Sequence, residues 1–150
     1  SAGDSLTGHV MEVKPDDKKV VISELSKKRT VCVITIKSVS CPVCTEQLIR
    51  IRERLKEFQR CNLTFLVLAP GGKEGIKELR KRTGFPFPFI QDKDLKIAKL
   101  FDLAMPPFEI VPAVILFNKD GSVLWKKPGR GSDYFSDQAL SDYLDCENWI

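Results

Sequence analysis

Cys41 and Cys44 stand in the run Lys37-Ser38-Val39-Ser40-Cys41-Pro42-Val43-Cys44-Thr45-Glu46, and two thiols at that spacing can do redox chemistry. An apolar run, Val31 to Ile36, precedes them, and apolar residues at Leu48, Ile51, Leu55 and Phe58 follow at steps of three and four. That pattern is a strand feeding a helix. It sets Cys41 at the helix N-cap, facing unpaired backbone N–H groups and the positive end of the helix dipole, which favour thiolate over thiol. Pro42 suits the first helical position, where its missing N–H costs nothing. Cys44 lies one turn deeper, close enough to close a disulfide onto Cys41. Cys41 is therefore the expected nucleophile, exposed, and Cys44 the shielded partner.

Other chemistries have less support. The chain holds five cysteines, an odd number, whereas a disulfide framework prefers even ones. Cys32, in a strand pattern, Cys61, at a helix end, and Cys146, near the C-terminus, read as structural or incidental thiols. As leftover thiols they point towards a reducing cytoplasm. A zinc site lacks a second ligand pair, and the single histidine, His9, lies far from the dithiol in sequence, so no metal is expected. Pro70-Gly71-Gly72 lacks the spacing and the Lys-Ser/Thr of a phosphate loop. A formal charge of +4, with basic and acidic residues interleaved, leaves no stripe for nucleic acid. No apolar run reaches the roughly 18 residues of a membrane span, and no leader of signal-peptide pattern opens the chain.

The elements that must position the dithiol follow from periodicity and turn chemistry. At 150 residues, 43% of them hydrophobic, the chain reads as one domain over 1–150 with a sizeable core. Gly8–Val13 and Lys19–Ser23 form an N-terminal hairpin around Lys14–Lys18, and Ser23-Glu24-Leu25 leads through a basic turn to a strand over Thr30–Ile36. A long helix then runs past Phe58, Asn62 turns, and Leu63–Ala69 is a second buried strand. Strand, helix, strand makes a βαβ unit with a right-handed crossover and parallel strands. Lys73–Thr83 is helical and Gly84 ends it. Phe85–Asp92 is extended, with its aromatics on the core rather than offered as a proline-rich ligand. Asp92 or Asp94 caps a further helix carrying Leu95, Ala98 and Phe101. Met105–Ile110 is a linker. Ala113–Phe117 and Ser122–Trp125 pair as a hairpin through Asn118–Gly121, and a last helix buries Leu140 and Leu144.

With those elements in order, nearly the whole chain resembles the thioredoxin-like superfamily, in particular the redoxin branch related to peroxiredoxins (alkyl hydroperoxide reductase/thiol-specific antioxidant) with a Cys-x-x-Cys motif. The markers are strand, Cys41-Pro42-Val43-Cys44 and helix; the second βαβ strand; Val111-Pro112 opening the hairpin; and Gly129 and Gly131 after it. The Phe85–Leu103 segment is similar to the peroxiredoxin branch. The resemblance implies an α/β fold with a central mixed sheet flanked by helices. It implies a cis Val111–Pro112 bond packed beside the dithiol, with Val111 and Pro112, together with Pro42 and Val43, shaping the substrate groove.

The resemblance also marks departures. Aligned on the peroxiredoxin motif Pro-x-x-x-Thr-x-x-Cys, Cys44 takes the peroxidatic place, Cys41 replaces the threonine, Lys37 replaces the proline, and the peroxide-activating arginine falls near Pro112. With Cys41 as peroxidatic and Ser38 as the hydroxyl, the proline place is Ile34 and again no arginine is recovered. Relative to thioredoxins, Ser40 replaces the tryptophan before the first cysteine, and Thr35 replaces the buried acid. Three functions remain open. The first is a thiol–disulfide oxidoreductase in which Cys41 attacks a substrate disulfide and Cys44 resolves the mixed disulfide. The second is a thiol peroxidase with Cys44 or Cys41 peroxidatic, and the third a non-catalytic redoxin-fold binding module. The first reading implies a disulfide-containing protein or small-thiol substrate, an electron-donating reductase or thiol, no bound cofactor, no nucleic acid, no membrane span and a monomer.

Overall fold

The computed structural model describes residues 12–15 and 18–129. A short antiparallel pair opens them: β1 (Glu12–Val13) against β2 (Val20–Val21). The expected N-terminal hairpin is thus present over its inner ends, while Gly8 and His9 lie outside the described residues. The second strand stops at Val21, and Ile22–Lys28 is a helix, α1, where a basic turn was expected. Ile22 and Ser26 sit one turn apart and are buried, so burial of one face outweighs the poor helical signal of a short, lysine-ended segment.

The centre is a five-stranded sheet in the order β5-β4-β3-β8-β9. β3 (Thr30–Thr35) and β4 (Leu63–Ala69) are parallel, as are β4 and β5 (Phe89–Gln91), whereas β8 (Ala113–Phe117) is antiparallel to β3 and to β9 (Val123–Pro128). Both sheet faces are covered, which is why β3 and β8 are buried along nearly their whole length and read as unbroken apolar runs. Alternate residues of β3 supply two cores. Cys32, Ile34 and Ile36 face Leu48, Ile51, Phe58, Ile76 and Leu79, while Val31 and Val33 face Ile22, Leu95, Ala98 and Phe101.

The helix after the dithiol is not continuous. α2 (Pro42–Glu53) ends at Arg54 (φ −111°, ψ 16°), and α3 (Leu55–Arg60) follows. The apolar period runs straight through the break, so the sequence hides it. Arg54 bonds Glu57 at 2.8 Å and its guanidinium lies 5.4 Å from the Phe58 ring centroid, which fixes the redirected turn. α4 (Lys73–Thr83) ends at Gly84 in the left-handed region (φ 63°), as expected. Phe85 and Phe87 pack edge-on against Phe65 and Phe89 packs on Phe85, so the extended proline-rich segment does put its aromatics on the core.

Asp92 is the cap chosen from the two candidates. Its carboxylate accepts the N–H groups of Ile97 and Ala98, both at 2.8 Å, at the start of α5 (Lys96–Leu100). The supposed linker folds as a small hairpin of β6 (Ala104–Met105) and β7 (Glu109–Ile110), and the cis bond among the described residues, Pro106–Pro107, lies in its turn. The terminal helix with Leu140 and Leu144 lies outside the described residues, as do Gly131 and Cys146.

Candidate active site

The dithiol sits where β3 hands over to α2. Strand pairing carries the chain to Ile36, whose N–H bonds Leu68 O, and a turn closed by Cys41 N–H on Ser38 O (3.2 Å) then starts the helix. Cys41 is the N-cap and Pro42 the first helical residue, as the sequence requires. The Cys41 Sγ accepts the Cys44 N–H at 3.3 Å, so it takes the capping role that an Asp or Ser oxygen usually fills. Thr45 adds its N–H and its hydroxyl to Cys41 O, each at 3.0 Å.

The two sulfurs differ in access. Cys41 is half-buried and opens on a cleft of about 650 Å³, whereas Cys44 is 1% exposed and packs with Leu48 in the core. Neither is in a disulfide, and Cys44 Sγ receives the Lys37 N–H at 3.4 Å. An apparent partner, Cys32, is fully buried on the same side of the sheet, and burial pushes its thiol far above the ordinary range. It has no route to solvent chemistry.

All six residues expected at the site meet at or beside this cleft. Cys41, Pro42, Val43, Val111 and Pro112 line it, and Cys44 lies directly beneath, bonded to Cys41 through its N–H. The cis geometry expected of Val111–Pro112 is not found: that bond is trans. Hydrogen bonds hold the segment extended between β7 and β8. Val111 N–H donates to Leu103 O (2.6 Å), the Thr35 hydroxyl donates to Val111 O (2.7 Å), and Gly129 N–H donates to Pro112 O (2.8 Å). Thr35, at the place of the thioredoxin acid, thus ties down the cleft wall.

Sequence reasoning missed Met105 and Glu109, which line the cleft from the small hairpin. Glu109 faces Lys37 across 3.8 Å, with both side chains about half exposed. Nothing local marks them, because a proline-rich stretch gives no strand signal. Cys61 was read as a free thiol, but it is disulfide-bonded. Among the described residues no cluster of three or more His, Cys, Asp or Glu side chains could hold a metal, and no helix is long and apolar enough to cross a membrane.

A mixed sheet covered by helices on both faces, with a Cys-x-x-Cys at the strand-to-helix junction, defines a thioredoxin-like redox fold. Residues 7–126 match the AhpC/TSA family, and the chain belongs to it. Among curated relatives, it is 34% identical over 71 residues to peroxiredoxin 2 of Caldanaerobacter subterraneus subsp. tengcongensis, a match covering 43% of this chain and 32% of that protein. It is 29% identical over 89 residues to peroxiredoxin 1 of Sulfuracidifex metallicus, covering 55% and 41%. The matches thus span less than half of either relative. Among solved structures, the bacterioferritin comigratory protein of Xanthomonas campestris superposes with a TM-score of 0.78 at 15% identity, covering 95% of this chain and 94% of that one. Peroxidoxin BcpB of Mycobacterium tuberculosis gives 0.76 at 17% identity, covering 89% and 88%. At these identities the likeness concerns the fold. The chain is thus a peroxiredoxin-related, thioredoxin-like protein, and its family is one of thiol-dependent oxidoreductases.

Proposed function

We propose that the protein is a thiol-dependent peroxidase whose redox unit is the Cys41–Cys44 pair. The observation that carries this is the Cys44 N–H bonded to Cys41 Sγ at the mouth of the cleft, in a chain of the AhpC/TSA family. It holds one thiol open to a small oxidant with a second thiol one turn beneath it. The Cys41 thiolate attacks the distal oxygen of a hydroperoxide, the O–O bond breaks, and the alkoxide leaves and takes a proton. Cys41 becomes a sulfenic acid. Cys44 then attacks that sulfur, a disulfide forms and water leaves. An external dithiol, or two equivalents of a monothiol, reduces the disulfide and is itself oxidised.

Two features support the assignment of attack to Cys41 rather than Cys44. Cys41 is the sulfur on the cleft, and the N–H of Cys44 is already directed at it. The motif alignment favours Cys44 instead. Single variants separate the two: Cys41→Ser should abolish peroxide consumption while Cys44→Ser forms a sulfenic acid that a dimedone-type probe traps. Peroxide turnover by Cys41→Ser would reassign the nucleophile to Cys44.

A second reading, thiol–disulfide exchange with a protein or small disulfide as the oxidant, has its own observation. The cleft's described lining carries Lys37 but no arginine, so no guanidinium there clamps a peroxide, whereas Val43, Met105, Val111 and Pro112 offer an apolar wall to an extended partner. In that case Cys44→Ser would accumulate a mixed disulfide with the partner.

A further inference from the structure

We propose that α4 is a clamp on the turn that carries Cys41, and that Arg82 and Gly75 are positioning residues for that thiol. The inference rests on the dithiol reading and adds to it the elements that set where Cys41 stands. The turn between Ser38 and Cys41 has Val39 and Ser40 as its central residues, and it is closed by a bond of 3.2 Å. From outside the turn, α4 holds it at two points.

One point is polar. Arg82, in the last turn of α4, donates from Nη2 to Val39 O at 2.8 Å, and its Nη1 lies 3.6 Å from Glu78 Oε1, one turn earlier. The carboxylate orients the guanidinium, and the guanidinium fixes the carbonyl. The second point is steric. A Cβ built on Gly75 would stand 3.1 Å from Val39 Cγ2, tighter than ordinary contact, so any larger residue there would push the Val39 side chain aside by a few tenths of an ångström. Val39 itself is partly buried against the same core cluster as Cys44.

The consequence runs through Val39 to sulfur. With the Val39 carbonyl and side chain both held, Ser40 and Cys41 have little freedom, and Cys41 Sγ stays on the Cys44 N–H. A held turn keeps the sulfurs close before they bond, which lowers the entropy lost on forming the disulfide. Loosening it disfavours the disulfide relative to the dithiol and opens Cys41 to solvent.

Two readouts test this on the full chain: the equilibrium of the Cys41–Cys44 couple with glutathione, and the alkylation rate of Cys41 in the reduced protein. Arg82→Ala should shift the equilibrium at least threefold towards the dithiol, about 14 mV at 29.6 mV per tenfold, and speed alkylation at least threefold. Arg82→Lys, which keeps one donor and the charge, should fall between it and the wild type. Gly75→Ala, whose added Cβ presses on Val39, should also shift both. Circular dichroism confirms that each variant is folded, and if Arg82→Ala is not, Arg82→Lys and Gly75→Ala decide. Wild-type values in the folded Arg82 and Gly75 variants would overturn the proposal. If the wild type forms no Cys41–Cys44 disulfide, the dithiol reading fails, and Cys41 alkylation alone then judges the clamp.

Discussion

Thr35→Val tests how the cleft wall is held. Thr35 is fully buried, and its hydroxyl lies 2.7 Å from Val111 O and 3.4 Å from Ala113 O, the first being its hydrogen bond to the segment before β8. Valine keeps the shape and removes the donor, leaving Val111 O without that partner in the interior. An unsatisfied buried carbonyl costs about 1–3 kcal/mol. A chain of this size loses about 2–4 °C of melting temperature per kcal/mol, so the midpoint should fall by roughly 4–8 °C for a cost of about 2 kcal/mol. Thr35→Ser keeps the hydroxyl and loses one methyl group, worth about 1 kcal/mol, so it should be the milder variant. Differential scanning calorimetry on the three proteins measures this. A Thr35→Val protein as stable as the wild type, or more stable than Thr35→Ser, would show that the hydroxyl does not tie Val111 to β3.

The remaining predictions concern the thiols and the buried acid. In the native, reduced protein, alkylation at neutral pH followed by peptide mapping should label Cys41 first, because Cys44 is 1% exposed and Cys32 is fully enclosed; labelling of Cys32 should require unfolding, and native labelling of it would contradict the packing of β3. Asp92 is pushed above its ordinary value of 3.8, chiefly by desolvation, which the N–H groups of Ile97 and Ala98 and the Lys99 charge partly offset. A raised folded value means that this group's contribution to stability is full below 3.8 and is lost as pH rises through the raised value. Asp92→Asn should therefore flatten that stretch of the stability–pH curve while weakening the α5 cap by about 1 kcal/mol at neutral pH; an unchanged slope above pH 4 in urea titrations would refute the assignment.

Much of this architecture was legible because local and tertiary signals agree. The βαβ unit, the limits of Lys73–Thr83 with Gly84, and the extended Phe85–Asp92 segment all follow from periodicity and turn residues. Cys41 at the N-cap and Pro42 in the first turn follow from strand-to-helix order alone. Where reading failed, the cause was non-local. The break at Arg54 leaves the apolar period intact, so only the contacts to Glu57 and Phe58 mark it. The Val111–Pro112 bond is trans where the family pattern led to cis, and one partner that holds the segment, Thr35, lies 76 residues away. Arg82 touches Val39 from 43 residues away, a separation that no window on the sequence spans.

Whether Cys41 and Cys44 form one redox unit that a peroxide oxidises is decided by one titration. The reduced protein is treated with substoichiometric hydroperoxide under anaerobic conditions, and the products are mapped by mass spectrometry of alkylated peptides. One Cys41 thiol and one Cys44 thiol should be lost per peroxide consumed, with a Cys41–Cys44 disulfide in the peptide map and Cys32 untouched. Consumption of peroxide no faster than by a free thiol, or oxidation that leaves Cys44 reduced while Cys41 accumulates as sulfinic acid, would contradict it.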